Sequence, residues 1–179
     1  MKTRLLVTVS ILLLVALCVP ASAESSLSTY IGGAFYRFQE SYLLTGLTYL
    51  ATAQNQMELN ITADFGITTV TNTEGQTLPR FYIPVSGGIN FTFPGDPLTF
   101  FFGTGMSPVF LIAPGADDPF TFLLGPYAKT GVRLRVHEIM SVLLEVQQDL
   151  LFGGPKWVNT STKVIAGIKF SLASSGGGS

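Results

Sequence analysis

Beyond residue 18 the chain contains no cysteine, and it carries little charge anywhere. Cys18 is the only cysteine among 179 residues, so the sequence after it can form neither a disulfide nor a thiolate metal site. Without disulfides, a chain of this size is held by packing and hydrogen-bond ladders, which favours a long closed sheet over a small loop-rich secreted domain. Charged residues make up 12% of the chain, against roughly 25% in soluble domains. Removing Lys2 and Arg4 from the ten basic residues leaves eight against eleven acidic ones. That balance offers no footprint for nucleic acid. After the first 23 residues no apolar run reaches the roughly 20 residues that a spanning helix requires. Paired histidines, a phosphate loop and a serine elbow are also missing. The one histidine, His137, falls in a predicted turn beside Glu138. No catalytic residue, metal site or cofactor is therefore assigned.

What is present begins with an export signal. Lys2 and Arg4 precede a predominantly apolar run from Leu5 to Val19, followed by Pro20 and Ala21-Ser22-Ala23. A positive start, a short apolar core and a small-x-small ending predict a signal peptide over residues 1–23, cleaved before Glu24. A retained anchor fits less well because the run is short. Acylation at Cys18 fits less well because Leu17 stands where a small residue is usual.

Residues 24–172 divide into eight segments of strand character: Ser26–Arg37, Tyr42–Thr52, Met57–Val70, Leu78–Phe93, Leu98–Leu111, Phe120–Val136, Ile139–Leu151 and Thr162–Leu172. In the third, Met57, Leu59, Ile61, Ala63, Phe65 and Ile67 alternate with Glu58, Asn60, Thr62, Asp64, Gly66 and Thr68. The fourth, sixth and eighth alternate in the same way, which is the period-2 signature of a sheet with one apolar and one polar face. The first, second and fifth alternate poorly, and their facing stays open. Pro84, Pro108 and Pro126 fall inside predicted strands, where each removes a ladder donor.

A soluble lipocalin-like carrier would turn the apolar faces inward. Aromatics form 12% of the chain, too many for an eight-stranded interior, and the strands lack the charge to coat a soluble exterior. The sequence therefore predicts an all-β, closed, antiparallel eight-stranded transmembrane barrel with its apolar faces in lipid. Connection lengths agree: Ala53–Gln56, Pro94–Pro97 and His137–Glu138 are short, whereas Thr71–Thr77, Ala113–Pro119 and Phe152–Ser161 are longer. Short periplasmic turns and longer external loops are the rule in such barrels; the short first outer loop, Phe38–Ser41, is the exception. Aromatics suggest two interfacial belts, with Phe93, Phe100 and Phe170 at the inner ends and Tyr36, Phe81, Phe110, Phe120, Phe152 and Trp157 at the outer ends.

This pattern resembles the small outer-membrane barrels of the OmpA transmembrane-domain and OmpX type. The resemblance covers the whole of residues 24–172 and rests on pattern alone. Members end in a strand closing on an aromatic residue that the barrel-assembly machinery reads, and Gly167-Ile168-Lys169-Phe170 is similar to that ending. Ser171–Ser179 extends past it, and residues 173–179 read as a flexible Ser/Gly tail. The resemblance implies a bacterial outer-membrane location, lipid and the assembly machinery as partners, and a monomer.

The predicted inward faces carry Glu58, Asp64, Arg80, Lys129, Arg133, Arg135, Glu145, Asp149, Lys163 and Lys169. Pairing is expected between the sixth strand and Glu145 and Asp149 on its neighbour, because unpaired buried charges cost several kcal/mol. Such a set fills a lumen wide enough only for side chains. The same charges could instead line a narrow pore for small solutes. Outside, Glu40, Glu74, Asp117 and Asp118 make the loops acidic, and Lys156 and Trp157 mark the last loop as a contact surface for an extracellular or envelope ligand. The expected role is structural or surface-contact, without enzymatic activity.

Overall fold

The computed structural model describes residues 24–54, 56–116, 118–154 and 156–172. The predicted signal peptide, Asp117 and the Ser/Gly tail lie outside these residues. Eight strands run β1 Ser25–Tyr36, β2 Glu40–Gln54, β3 Met57–Thr71, β4 Thr77–Phe93, β5 Leu98–Ile112, β6 Phe120–His137, β7 Met140–Phe152 and β8 Val158–Leu172. Each pairs antiparallel with the next, and β8 returns to β1 from Ser25↔Leu172 to Tyr36↔Ser161, closing the barrel. Ser25 and Leu172 therefore share one end, here called the terminal mouth, with the three short turns; the four other connections form the loop mouth. Strands of 12 to 18 residues exceed the roughly 9–11 needed to cross a bilayer.

Two departures from the sequence reading change an assignment, and the remaining boundaries fall within two residues of it. β8 begins at Val158 rather than Thr162, because Leu151↔Asn159 and Phe152↔Val158 extend its ladder with β7. Glu40 opens β2 instead of lying in a loop, because the first connection is a tight turn in which Gln39 N–H donates to the Tyr36 carbonyl.

The outer surface is apolar around the whole wall. Ile31, Leu43, Leu47, Phe100, Phe122 and Leu144 are exposed there, each well above the accessibility of a core residue. Several polar groups on this face pair with the wall itself. Thr45, Thr104 and Thr130 hydroxyls donate to the carbonyls of Tyr30, Tyr127 and Phe101 at 2.9, 2.9 and 3.1 Å. Gln148 donates to the carbonyls of Asp149 and Ser161 and accepts from Thr162. A surface in hydrocarbon needs such internal pairing, whereas one in water does not. Tyr36, placed in the outer belt by the sequence, instead points inward and is 3% exposed. It shares its inward face with Tyr30 and Ala34, a parity hidden by the apolar residues on both sides of β1.

The in-strand prolines are absorbed by local breaks in the ladder. Pairing lapses between Gly66↔Tyr82 and Ala63↔Val85, between Pro84↔Val109 and Gly87↔Met106, and between Leu124↔Phe152 and Tyr127↔Asp149. Pro84, Pro108 and Pro126 lie on the consecutive strands β4, β5 and β6, although the β5–β6 ladder itself runs unbroken through Pro108↔Leu124 and Met106↔Pro126.

Inward glycines make room for inward rings. Gly88 and Gly105 face each other across β4 and β5, and a Cβ on either would fall 2.4 Å from the Tyr127 hydroxyl or 2.8 Å from its ring. A Cβ on Gly46 would meet Tyr30 at 2.5 Å, and one on Gly131 would meet Phe101 at 2.6 Å. Gly105→Val should therefore overpack the lumen and cost about 1–3 kcal/mol, measured by urea unfolding of the folded barrel in lipid vesicles. Unchanged stability would mean that the ring has free space.

Candidate functional site

The alternation of β3, β4, β6 and β8 turns their polar residues into a bore that only side chains can fill. At the terminal mouth Arg133 reaches across from β6 to β3 and grips Glu58 with two bonds of 2.7 Å. Lys169 of β8 shares the same carboxylate at 3.3 Å. The Arg133 guanidinium also stacks 4.5 Å from the Phe101 ring centroid.

One level deeper, Lys129 pairs with Glu145 at 3.3 Å. Tyr127 donates to Asn60, and Asn60 donates to Asn90, at 2.9 and 3.0 Å. Above these, Lys163 bonds Asp64 at 3.0 Å, and Tyr30 donates to the other oxygen of that carboxylate. A polar cavity of about 10 Å³ lies between Tyr30, Asp64, Glu145 and Lys163, room for about one water. The Tyr82 hydroxyl crosses from β4 to Ser161 on β8 at 2.9 Å.

Toward the loops the character changes. Leu44, Tyr82, Val109, Leu123 and Leu151 are wholly buried and join Tyr42 and Leu111 in one apolar cluster. On the loop side of the charges the lumen is thus packed largely by apolar side chains. Beyond this layer Arg80 pairs with Glu40 at 2.8 Å, and Tyr42 donates to Glu40.

Most of the inward charges named from sequence lie in the bore, but their pairing differs from expectation. Only Lys129 and Glu145 pair between β6 and β7. Arg133 and Lys163 bond carboxylates on β3 instead, because side chains in a narrow bore reach its opposite wall as easily as the next strand. Asp149 accepts from Gln147 at 2.8 Å and from no cation. Arg135 shares the inward parity but stands at the rim, 58% exposed, paired with Asp96 of the β4–β5 turn at 2.6 Å. Arg80 is cut off from the deeper charges by the apolar layer. Lys156, Trp157 and Asp118 are exposed at the loop mouth. Gly167, Ile168 and Phe170 lie in β8, with Ile168 and Phe170 facing outward. Sequence reasoning missed Tyr30, Tyr42, Phe101 and Tyr127; the available signal was the set of inward glycines beside them.

No protein-family profile matches the chain, and no curated protein is detectably similar in sequence. Solved structures are. Neisserial surface protein A superposes with a TM-score of 0.68 at 11% identity, covering 84% of this chain and 97% of that one. The chain has the fold of the small eight-stranded outer-membrane barrels. The N-terminal barrel domain of Pseudomonas aeruginosa OprF matches at 0.60 and 13% identity, covering 84% of this barrel and 99% of that one. Ail of Yersinia pestis, solved with the heparin analogue sucrose octasulfate, matches at 0.58 and 10% identity over 84% and 99%.

The barrel's buried ion pairs give a direct prediction. Lys163→Met leaves the Asp64 carboxylate buried without its cation and should cost about 3–5 kcal/mol. The double variant Asp64→Leu/Lys163→Met should recover most of that loss in urea unfolding. Equal losses in the two would show that the pair stabilises beyond its own desolvation.

Proposed function

We propose that the protein is a monomeric, non-conducting barrel of the bacterial outer membrane, inserted through its β8 ending, whose role lies in contacts made at its outer rim. The terminal mouth then faces the periplasm and the loop mouth faces outward. The observation that carries this reading is the apolar layer of Leu44, Val109, Leu123 and Leu151 across the loop-side half of the bore. Buried hydrocarbon gives an ion nothing to replace its hydration shell. A narrow channel needs a continuous polar path, which this layer interrupts. The lone histidine, His137, is exposed at the terminal mouth, where its Nδ1 accepts from the Ile139 amide at 3.5 Å.

The rim reading rests on how Phe38 and Trp157 are displayed. Both are 76% exposed, and they sit on neighbouring connections because β1 pairs with β8. Arg37 and Phe38 occupy the centre of the first turn with φ of 53° and 54°. Glycine and asparagine suit that left-handed geometry, and a bulky side chain is costly there. An aromatic retained at such a position fits a contact role. Arg37, half-buried over the Tyr36 ring with its Nε donating to Asn159, and exposed Lys156 flank the pair without carboxylate partners among the described residues. The acidic residues Glu74 and Asp118 belong to the two connections across the rim. A cationic, aromatic half-rim suits an anionic envelope or extracellular ligand.

Refolded barrel in a planar bilayer should show no conductance steps, once a heat-shift gel verifies folding. Discrete steps that change when Arg133 or Glu145 is neutralised would establish a pore instead. The rim reading predicts salt-sensitive retention on an immobilised polyanion, reduced by Arg37→Gln with Lys156→Gln; retention unaffected by that pair would contradict it.

A further inference from the structure

The terminal mouth holds a second arrangement that neither the sealed bore nor the outer rim accounts for. A cavity of about 220 Å³ opens there, lined by Glu58, Thr92, Thr99, Arg133, Arg135, Ser141 and Lys169, with Gly95 at its edge. Its lining thus brings three cations to one carboxylate. Glu58 is already committed, accepting two bonds from Arg133 and one from Lys169. The register sets Arg135, Ser141 and Lys169 side by side across β6, β7 and β8. Thr99 stands opposite Arg133.

We propose that this mouth cavity binds a small oxyanion of the phosphate class, held by Lys169, Arg135 and the hydroxyls of Ser141 and Thr99 over the fixed Arg133–Glu58 pair. Each part follows from the arrangement. Arg133, stacked on Phe101, neutralises Glu58 through both terminal nitrogens, so the carboxylate does not repel an entering anion. Lys169 gives Glu58 a single bond of 3.3 Å and keeps ammonium protons for another acceptor. Ser141 and Thr99 add neutral donors beside the two cations, and Arg135 offers the planar fork that suits oxyanions.

The opposing charges also have identifiable places. Asp96 holds Arg135 from the water side, but both are largely exposed, and a surface pair of that kind is weak enough to be displaced. Glu24 and Glu138 line the adjoining recess with Lys169, outside the cavity itself. They would set a modest affinity rather than block entry.

A free phosphate and a phospholipid headgroup from the periplasmic leaflet share this chemistry. Calorimetric titration of the folded barrel in a nonionic, phosphate-free detergent separates them. Inorganic phosphate should bind saturably; saturation by short-chain phosphatidylglycerol alone would assign the site to a headgroup. Lys169→Gln and Arg135→Gln should each weaken binding by about tenfold or more, the size of a lost charge-assisted hydrogen bond. Asp96→Asn, which frees Arg135, should tighten it. Arg80→Gln makes the same charge change at the opposite mouth and should leave affinity unchanged. The heat-shift gel confirms that each variant has folded. Saturation by neither ligand would overturn the proposal. So would equal weakening by Arg80→Gln, which would reduce the effect to net charge.

Discussion

Everything in this molecule depends on the narrowness of a sheet closed with eight strands. Closure removes every edge, so all backbone donors and acceptors of the wall can be met within it, a condition for standing in lipid. It also leaves a bore that only side chains can occupy. Each inward residue must then fit against groups across the axis as well as beside it. Arg133 finds Glu58, Lys163 finds Asp64, Tyr127 finds Asn60 and Tyr82 finds Ser161, all across the bore. The inward glycines serve the same constraint, since rings as large as Tyr30 and Tyr127 enter only where the facing wall has no side chain.

The bore is divided along its axis. The terminal half is ionic and opens to water through a polar mouth; the loop half carries the apolar cluster, with the Arg80–Glu40 pair beyond it. Breaking a buried ion pair is expensive, while replacing it by apolar residues can be neutral. The division also separates two surfaces, an aromatic and cationic half-rim at the loops and a cationic cavity at the termini.

Much of the wall was legible in the sequence. Strict alternation in β3, β4, β6 and β8 set their facing correctly, because charged and amide residues oppose Phe, Ile and Val there. β1, β2 and β5 were illegible for a physical reason. Their inward positions hold Tyr30, Ala34, Leu44, Phe101, Val109 and Leu111, so both faces are apolar and no contrast remains for periodicity to detect. The apolar layer was hidden by the same cause. Pairing was misread because sequence reasoning reaches the neighbouring strand, whereas Arg133 and Lys163 lie three strands from their partners around a closed wall. Arg135 could not be told from Arg133 by parity, since only the position of the turn beside it puts one in water and the other in the bore.

The central claim, that packed hydrocarbon closes the bore, is tested most directly by thiol accessibility. Residues 24–179 contain no cysteine, so single cysteines introduced into this part report alone. In folded barrel reconstituted in vesicles, Leu123→Cys should resist a charged thiol reagent supplied from either side, while Thr99→Cys in the terminal mouth should react readily. Comparable labelling at the two positions would mean that water and ions pass the apolar layer, and the account of a sealed lumen would be wrong.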